Sequence, residues 1–273
     1  MSVELTVAIP TFEGDPALLR RVLGEARHQA PGELVVVDMS RTSVVIDACA
    51  EIGGITLIRL PESRGVSQSR NACVAAASTR HVLFLDSDAV PQPGWAAAMA
   101  AGFDQERVAI VGARVLPDWE RPPPYLLRTA TASDWLSMFD LGPTALEVPR
   151  VMGTSYAIDR ERVGDAPFDE RLGRAPGVSV AHEEVRLALD AQAAGWRCWY
   201  AAEAVVHHHI PRGRVTWRAL LHRAFVAGQE TRLEPVRLAP LPRRMTAADH
   251  IFRAAVAPAF LLGRAVGPRG ETD

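Results

Sequence analysis

Apolar residues in the first ninety positions fall into two alternating patterns. Continuous runs, "LTVAIP" (Leu5–Pro10), "ELVVVD" (Glu33–Asp38), "ITLIRL" (Ile55–Leu60) and "HVLFLD" (His81–Asp86), have the length and composition of buried strands. Between the first two, "PALLRRVLGEARHQ" sets Leu18, Leu19, Val22, Leu23 and Ala26 at helical spacing. Further on, "SQSRNACVAAAS" predicts a helix opened by a Ser or Asn cap. Strands alternating with helices predict a parallel sheet with crossovers and helices on both faces. Ligands of such sheets bind beyond the carboxyl ends of strands, and Asp38, Asp86 and Asp88 all fall there.

From about Val115 the pattern loosens. "LPDWERPPPYLL", with its triple proline, predicts neither a regular helix nor a central strand. Then "VPRVMGTSYAIDR" reads as strand, "FDERLGRAPGVSVA" as loop and "HEEVRLALDAQAAGW" as helix. "CWYAAEAVVHHHIP" reads as strand, turn and strand. "TWRALLHRAFVAGQET" predicts an amphipathic helix with Trp217, Leu220, Leu221, Ala224, Phe225 and Gly228 on one stripe. The last forty residues read as irregular, then weakly helical around Pro258.

Composition narrows the class. At 273 residues and 48% hydrophobic, the chain can bury a proper core. A formal net charge of -2 argues against a general nucleic-acid binder. Every Lys-or-Arg position is Arg. Residues 1–211 hold 19 Arg against 27 acids, and residues 212–273 hold 11 Arg against 5 acids. The acidic part is therefore expected to hold any metal chemistry, and the basic tail to face something anionic. Cys49, Cys73 and Cys198, odd in number and widely spaced, read as buried small hydrophobes of a reducing, cytoplasmic setting. No run is long enough for a transmembrane helix, and residues 1–9 read as a first strand, not a signal peptide.

Three clusters carry candidate chemistry. Asp86-Ser87-Asp88 offers two carboxylates at i and i+2, hard oxygens suited to Mg²⁺ or Mn²⁺. A merely solvated strand-end turn has the same sequence. His207-His208-His209 can supply one or two ligands, or an exposed histidine turn, because strand neighbours point to opposite sides. Glu183 and Glu184 fall in a first helical turn, where the macrodipole favours anions and where a carboxylate can also serve as general base. Asp38 can accept hydrogen bonds from a ribose or a base. The absence of GxGxxG and GxxxxGK[ST] argues against a dinucleotide dehydrogenase and a P-loop enzyme.

Taken in order, "VAIPTFEGDPALLRRVL", "ELVVVDMS", "RGVSQSRNACVAAA", "HVLFLDSDAVPQPGW", "FDERLG", "HEEVRLALDAQAAGW" and "AEAVVHHH" resemble the family 2 glycosyltransferases. The match covers roughly residues 3 to 230. It implies a GT-A (Rossmann-like) α/β fold, with a mostly parallel central sheet flanked by helices and a C-terminal helical extension. Residues 1–115 would be the nucleotide-sugar half, 116–212 the acceptor and catalytic half, and 213–273 the extension. The resemblance places Pro10, Thr11, Glu13, Asp38, Arg70, Asp86 and Ser87 on the donor. It places Asp88 on the metal, with His208, or His207 one residue away, beside it. Glu184 takes the position of the family's catalytic Asp. The family's pair is Glu-Asp and this chain has Glu-Glu, so Glu183 is an alternative base.

The implied reaction moves a sugar from a UDP-, GDP- or dTDP-linked donor to an acceptor hydroxyl, with Mn²⁺ or Mg²⁺ and inversion at the anomeric carbon. The acceptor is left open, lipid-linked or a natural-product scaffold. The tail 213–273 is expected to touch the inner face of a membrane, to dimerise, or to pack on its own domain. Two other functions fit less well. A sugar-1-phosphate nucleotidyltransferase needs a Gly-rich loop with Arg, then a Lys, after the first strand, and here "PTFEGDPALL" follows. A degenerate scaffold would not need the intact acids and histidines.

Overall fold

The structure, a computed structural model, describes residues 5–12, 14–29, 32–62, 65–172, 182–233, 241–243 and 245–266. Glu13, most of "FDERLGRAPGVSVA" and the stretch 234–240 lie outside the described residues. In chain order the elements are β1 (Leu5–Thr11), α1 (Pro16–Gln29), β2 (Glu33–Asp38), α2 (Val44–Ile52), β3 (Thr56–Arg59) and α3 (Val66–Ala76). Next come β4 (His81–Leu85), β5 (Ala89–Pro91), α4 (Trp95–Ala101), β6 (Val108–Trp119), α5 (Ala130–Trp135) and β7 (Leu146–Val148). The chain continues through β8 (Ser155–Asp159), α6 (Arg160–Val163), α7 (Glu183–Ala193), β9 (Arg197–Ile210), α8 (Trp217–Leu233) and α9 (Ala247–Val266).

One sheet runs in the order β3-β2-β1-β4-β8-β6-β9-β5, with β7 also on β9. The first four strands in that order are parallel, as the alternation of runs and helices requires. Beyond β4 the sheet is mixed: β8 is antiparallel to both β4 and β6, while β6 and β9 are parallel. The strands β1, β2 and β4 are largely apolar because helices cover both faces, and Val7, Ile9, Val35, Val37, Leu83 and Leu85 are buried in one continuous core.

Local expectations failed where tertiary contacts overrode them. The helix α3 has Gly65, not Ser or Asn, at its N-cap, with no side-chain cap. The "LPDW" segment extends β6 as far as Trp119, and Pro117 sits opposite His208 of β9. There β8 no longer pairs with β6, so the missing N–H disrupts no second ladder. "CWYAAEAVVHHHI" is one strand, not two: the register jumps between Ala113/Ala201 and Arg114/Val205, and this bulge absorbs the residues that read as a turn.

After the non-helical residues 241–243 and 245–246, the C-terminal segment forms one continuous helix, α9, with Pro258 inside it. A mid-helix proline costs about 3 kcal/mol, which packing must offset. Phe252 and Val256 of α9 are buried against Leu220 and Ala224 of α8 and against Leu127 and Ala132. The Trp135 and Trp217 rings lie 5.7 and 5.9 Å from Phe252. Of the three expectations for the tail, packing on its own domain is what these helices do, although Ile251, Leu261, Leu262 and Val266 stay exposed. No described helix is long and apolar enough to cross a membrane.

The two helices meet backbone to backbone. A Cβ on Gly228 would overlap the Phe260 carbonyl oxygen, and one on Gly263 would overlap that of Phe225. Helix propensity alone predicts that Gly228→Ala stabilises by about 1 kcal/mol. The contact predicts a loss on the order of 1–3 kcal/mol instead. Thermal unfolding of the variant decides between them, and a melting temperature above wild type would show that α8 and α9 separate without penalty.

Candidate active site

The carboxyl ends of β1, β2 and β4 deliver the sequence-predicted residues to one side of the sheet. Pro10 and Thr11 end β1, in register with Val37 and Asp38 of β2. Asp38 is fully buried; its Oδ1 accepts from the Ser40 amide at 2.8 Å. Arg59 Nε lies 2.9 Å from Asp38 Oδ2, yet its direction leaves that oxygen without a hydrogen-bond donor. The charge contact is real and the hydrogen bond is absent, so Oδ2 retains accepting capacity.

After β4, Asp86, Ser87 and Asp88 make a tight turn closed by the Ala89 amide on the Asp86 carbonyl at 3.1 Å. The short strand β5 then pairs with β9, setting Ala89 opposite His208. This pairing resolves the histidine run. His208 Nε2 stands 3.4 Å from Asp88 Oδ1. His207 and His209 take the other face of β9, and His209 Nδ1 lies 3.9 Å from Asp118.

Asp88 and His208 together fit a hard or borderline divalent cation. Their facing atoms are spaced much as neighbouring ligands of one ion, roughly 3 Å apart when each bond is about 2.1 Å. His208 Nδ1 is buried without a partner, so whatever faces Nε2 sets the tautomer. Among the described residues no cluster of three or more His, Cys, Asp or Glu could hold an ion. A pair of protein ligands leaves the remaining positions to water and phosphate oxygens, as Mg²⁺ prefers.

Electrostatics separate the two aspartates. Burial opposes ionisation of Asp88, but the hydrogen bond and charge of His208, with Arg214 nearby, hold its carboxyl below the usual range. Asp86 is pushed up to about 8, by burial first and by the Asp88 charge second, partly offset by Arg70. Its side chain is 34% exposed, so water in the cleft screens part of that penalty.

Because the folded carboxyl holds its proton more tightly than the unfolded one, the native state binds more protons between about pH 4 and pH 8. Stability without cation should therefore fall as pH rises through that window. Asp86→Asn should flatten the slope, read from melting temperatures in EDTA. An unchanged slope would show that Asp86 titrates normally.

Arg70, projecting from α3, ties the acids together. It is 3% exposed, pairs through Nη1 with Glu183 Oε1, donates through Nη2 to the Gly153 carbonyl at 3.2 Å, and approaches Asp86 at 3.8 Å. Its guanidinium also lies over the Tyr156 and Phe168 rings, 5.4 and 5.9 Å from the centroids. Glu183 is thus engaged, while Glu184 has no ion pair among the described residues. Burial first, and then the Glu183 charge, raise the Glu184 pKa, offset in part by His182 and Arg70. A carboxylate that holds protons more tightly than usual is a better proton acceptor.

The start of α7 is set by residues that the sequence did not single out. His182 caps it at φ 92°, a left-handed conformation unfavourable for a side chain with Cβ. Its Nε2 lies 3.4 Å from Glu230 on α8, which Arg223 holds at 2.9 Å. The α8 helix therefore braces the turn carrying Glu183 and Glu184. A cleft of about 600 Å³ runs between these parts, lined by Arg70, Asp86, Glu183 and Glu184 and by residues of α5, α8 and α9. Neither Asp88 nor His208 lines it.

A sheet that is parallel in its first half and mixed beyond, with acids at its strand ends, is shared with proteins of known activity. Residues 6–160, more than half the chain, match the family model described as glycosyl transferase family 2. The chain belongs to glycosyl transferase family 2. Its fold is GT-A. It is 28% identical over 244 residues to the pre-mycofactocin glycosyltransferases of two Mycobacterium tuberculosis strains, CDC 1551 / Oshkosh and H37Rv. That match takes in 87% of this chain and 50% of the relative, so the chain spans about half the length of the curated relatives it matches.

Among solved structures, the mannosyltransferase PcManGT of Pyrobaculum calidifontis, in complex with GDP-Man and Mn²⁺, superposes with a TM-score of 0.61. Identity is 21%, over 96% of this chain and 73% of the other. GalNAc-T7 with UDP, GalNAc and Mn²⁺ superposes at 0.59 and 16% identity, over 93% of this chain and 54% of its own. Both likenesses concern the fold.

Proposed function

We propose that this family 2 glycosyltransferase transfers a sugar from a nucleoside-diphosphate donor to an acceptor hydroxyl in one inverting displacement. The observation that carries the reading is the convergence of a proton-hungry Glu184 with Arg70 and Asp86 on one cleft, beside the Asp88–His208 pair. Pro10, Thr11 and Asp38 bind the nucleoside, Asp38 through its unpaired Oδ2. Asp86 and Ser87 face ribose and sugar. Asp88 and His208 would hold Mn²⁺ or Mg²⁺, which when bound would supply neutralising charge at the diphosphate.

Glu184 takes the acceptor's proton as the hydroxyl attacks. Glu183 serves through Arg70: the ion pair fixes the guanidinium between Glu183 and Asp86, and so keeps the donor side and the base in register. The relatives named above motivate the reagents. GDP- and UDP-sugars with Mn²⁺ are the first donors to test, and pre-mycofactocin is the first acceptor.

Thermal-shift titration with UDP, GDP and dTDP, with and without Mn²⁺ or Mg²⁺, tests the donor half. The cognate nucleotide should stabilise by about 2.7 kcal/mol at one hundred times its Kd, and only with the cation. Three nucleotides that leave melting unchanged in either metal would remove the donor assignment.

A further inference from the structure

Arg150 is a buried cation with almost nothing bound to it. It is 6% exposed and lines the cleft. A guanidinium carries five N–H donors. Among the described residues Arg150 makes a single hydrogen bond, Nη2 to Asp134 Oδ2 at 3.2 Å, and its Nε is buried with no acceptor. Buried donors in folded proteins are nearly always satisfied. The Nε atoms of Arg70, Arg223 and Arg243 are unpaired too, so it is the single hydrogen bond of the whole guanidinium that points to an acceptor atom arriving from outside.

The charge balance says the same. Asp134 is shared, because Arg243 Nη1 also reaches it, at 2.8 Å. Two guanidiniums therefore face one carboxylate. The other buried cation on the cleft is matched: Arg70 by Glu183 and Asp86. Half-buried Arg223 is matched by Glu230. Arg253 on α9 lines the cleft with no ion pair among the described residues. Uncompensated positive charge thus concentrates at Arg150, with Arg253 on the same cleft.

We propose that Arg150 receives an oxyanion of the acceptor, so that the acceptor is a small hydroxy compound bearing a carboxylate or a phosphate. This rests on reading the cleft as the place where Glu184 meets the acceptor. The donor's diphosphate is assigned to Asp88 and His208, which do not line the cleft, whereas Arg150 does. The apolar wall of Trp135, Met152, Val256 and Phe260 suits a ring or short aliphatic body between the two polar ends.

Chain geometry limits the size. Arg150 is three residues from Gly153, where a Cβ would stand 3.5 Å from Glu184 Cδ. Three residues span at most about 10 Å of backbone, so Arg150 and Glu184 belong to one compact cleft that a small acceptor can bridge.

The test uses matched hydroxyaryl probes: 4-hydroxyphenylacetate and 4-hydroxyphenyl phosphate against uncharged 4-hydroxyphenylacetamide. Binding to the full chain is measured by calorimetry with nucleoside diphosphate and Mn²⁺ present. Wild type should bind at least one acid roughly 10–100-fold tighter than the amide, the usual worth of a charged hydrogen bond. The better acid identifies the group as carboxylate or phosphate.

Arg150→Met should erase the preference and leave nucleotide affinity unchanged. Arg150→Lys, which keeps charge without the planar fork, should retain part of it. Equal binding of acid and amide by wild type, or no binding of any probe, overturns the proposal whether or not the variants fold. A variant that weakens nucleotide binding as much as acid binding also overturns it. Nucleotide binding in the same samples reads the transferase assignment separately, so the two can fail independently.

Discussion

Glu184→Gln should lower turnover by roughly 10²–10⁴, the usual worth of general base catalysis, while nucleotide and cation bind nearly as in wild type. The amide keeps the shape and the start of α7 but cannot take a proton. Because burial and Glu183 raise the pKa of Glu184, the acid limb of the wild-type rate profile should lie above that of an ordinary glutamate, and Gln should abolish the limb. The variant should fold at least as well as wild type, since a disfavoured charge has been removed.

Glu183→Gln should behave differently. Glu183 is buried against Arg70, and removing one partner of a buried pair typically costs 3–5 kcal/mol. Its signature is a drop in melting temperature and weaker donor binding, not a selective loss of turnover. Reversal of the two signatures would make Glu183 the base. Product stereochemistry checks both, because a product that keeps the donor's anomeric configuration cannot come from one in-line displacement.

Asp88→Asn should reduce transfer by a comparable factor, roughly 10²–10⁴, because several kcal/mol of charge stabilisation at the leaving diphosphate depends on the cation. EDTA should mimic the variant, and added Mn²⁺ should reverse the chelator but not the substitution. The geometry ranks the histidines: His208→Ala should weaken Mn²⁺ binding, while His207→Ala, on the opposite face of β9, should not. Full activity after exhaustive chelation would end the cation assignment.

How much of this could be read from the chain depended on whether the signal was local. The strands ending at Thr11, Asp38 and Leu85 were legible because both faces are covered, so each is an unbroken apolar run with its carboxylate or hydroxyl just past the core. The family pattern then marked Arg70, Asp86, Asp88, His208 and Glu184 as candidates. Alternation along β9, once its pairing with β5 was in view, chose between His207 and His208.

Elements that depend on distant partners were not legible. The Ala-Ala-Glu-Ala segment of β9 looks like a turn until β6 supplies a ladder that tolerates the bulge. Pro258 looks like a helix end until Phe252 and Val256 are seen buried. The cleft's other wall has no repeat or motif. Asp134 and Arg150 pair across 16 residues and Arg223 and Glu230 across 7 on α8, with no motif around either pair, so they gain meaning only through their pairing. His182 sits beside the recognisable Glu-Glu pair, yet its bracing by Glu230 crosses from α7 to α8.

The three consecutive histidines have a consequence for how this enzyme tolerates error. From Ala204 to Ile210 of β9, burial alternates residue by residue, so sliding this stretch by one position exchanges everything facing inward for everything facing outward. A lone histidine opposite Asp88 would be lost in such a slip. Here a slip in either direction brings His207 or His209 to the place of His208, and an imidazole still meets the aspartate. A one-residue insertion or deletion earlier in the strand would scramble its packing yet keep an imidazole opposite Asp88. The triplet makes that pairing independent of strand register, on a strand whose register against β6 already shifts at a bulge.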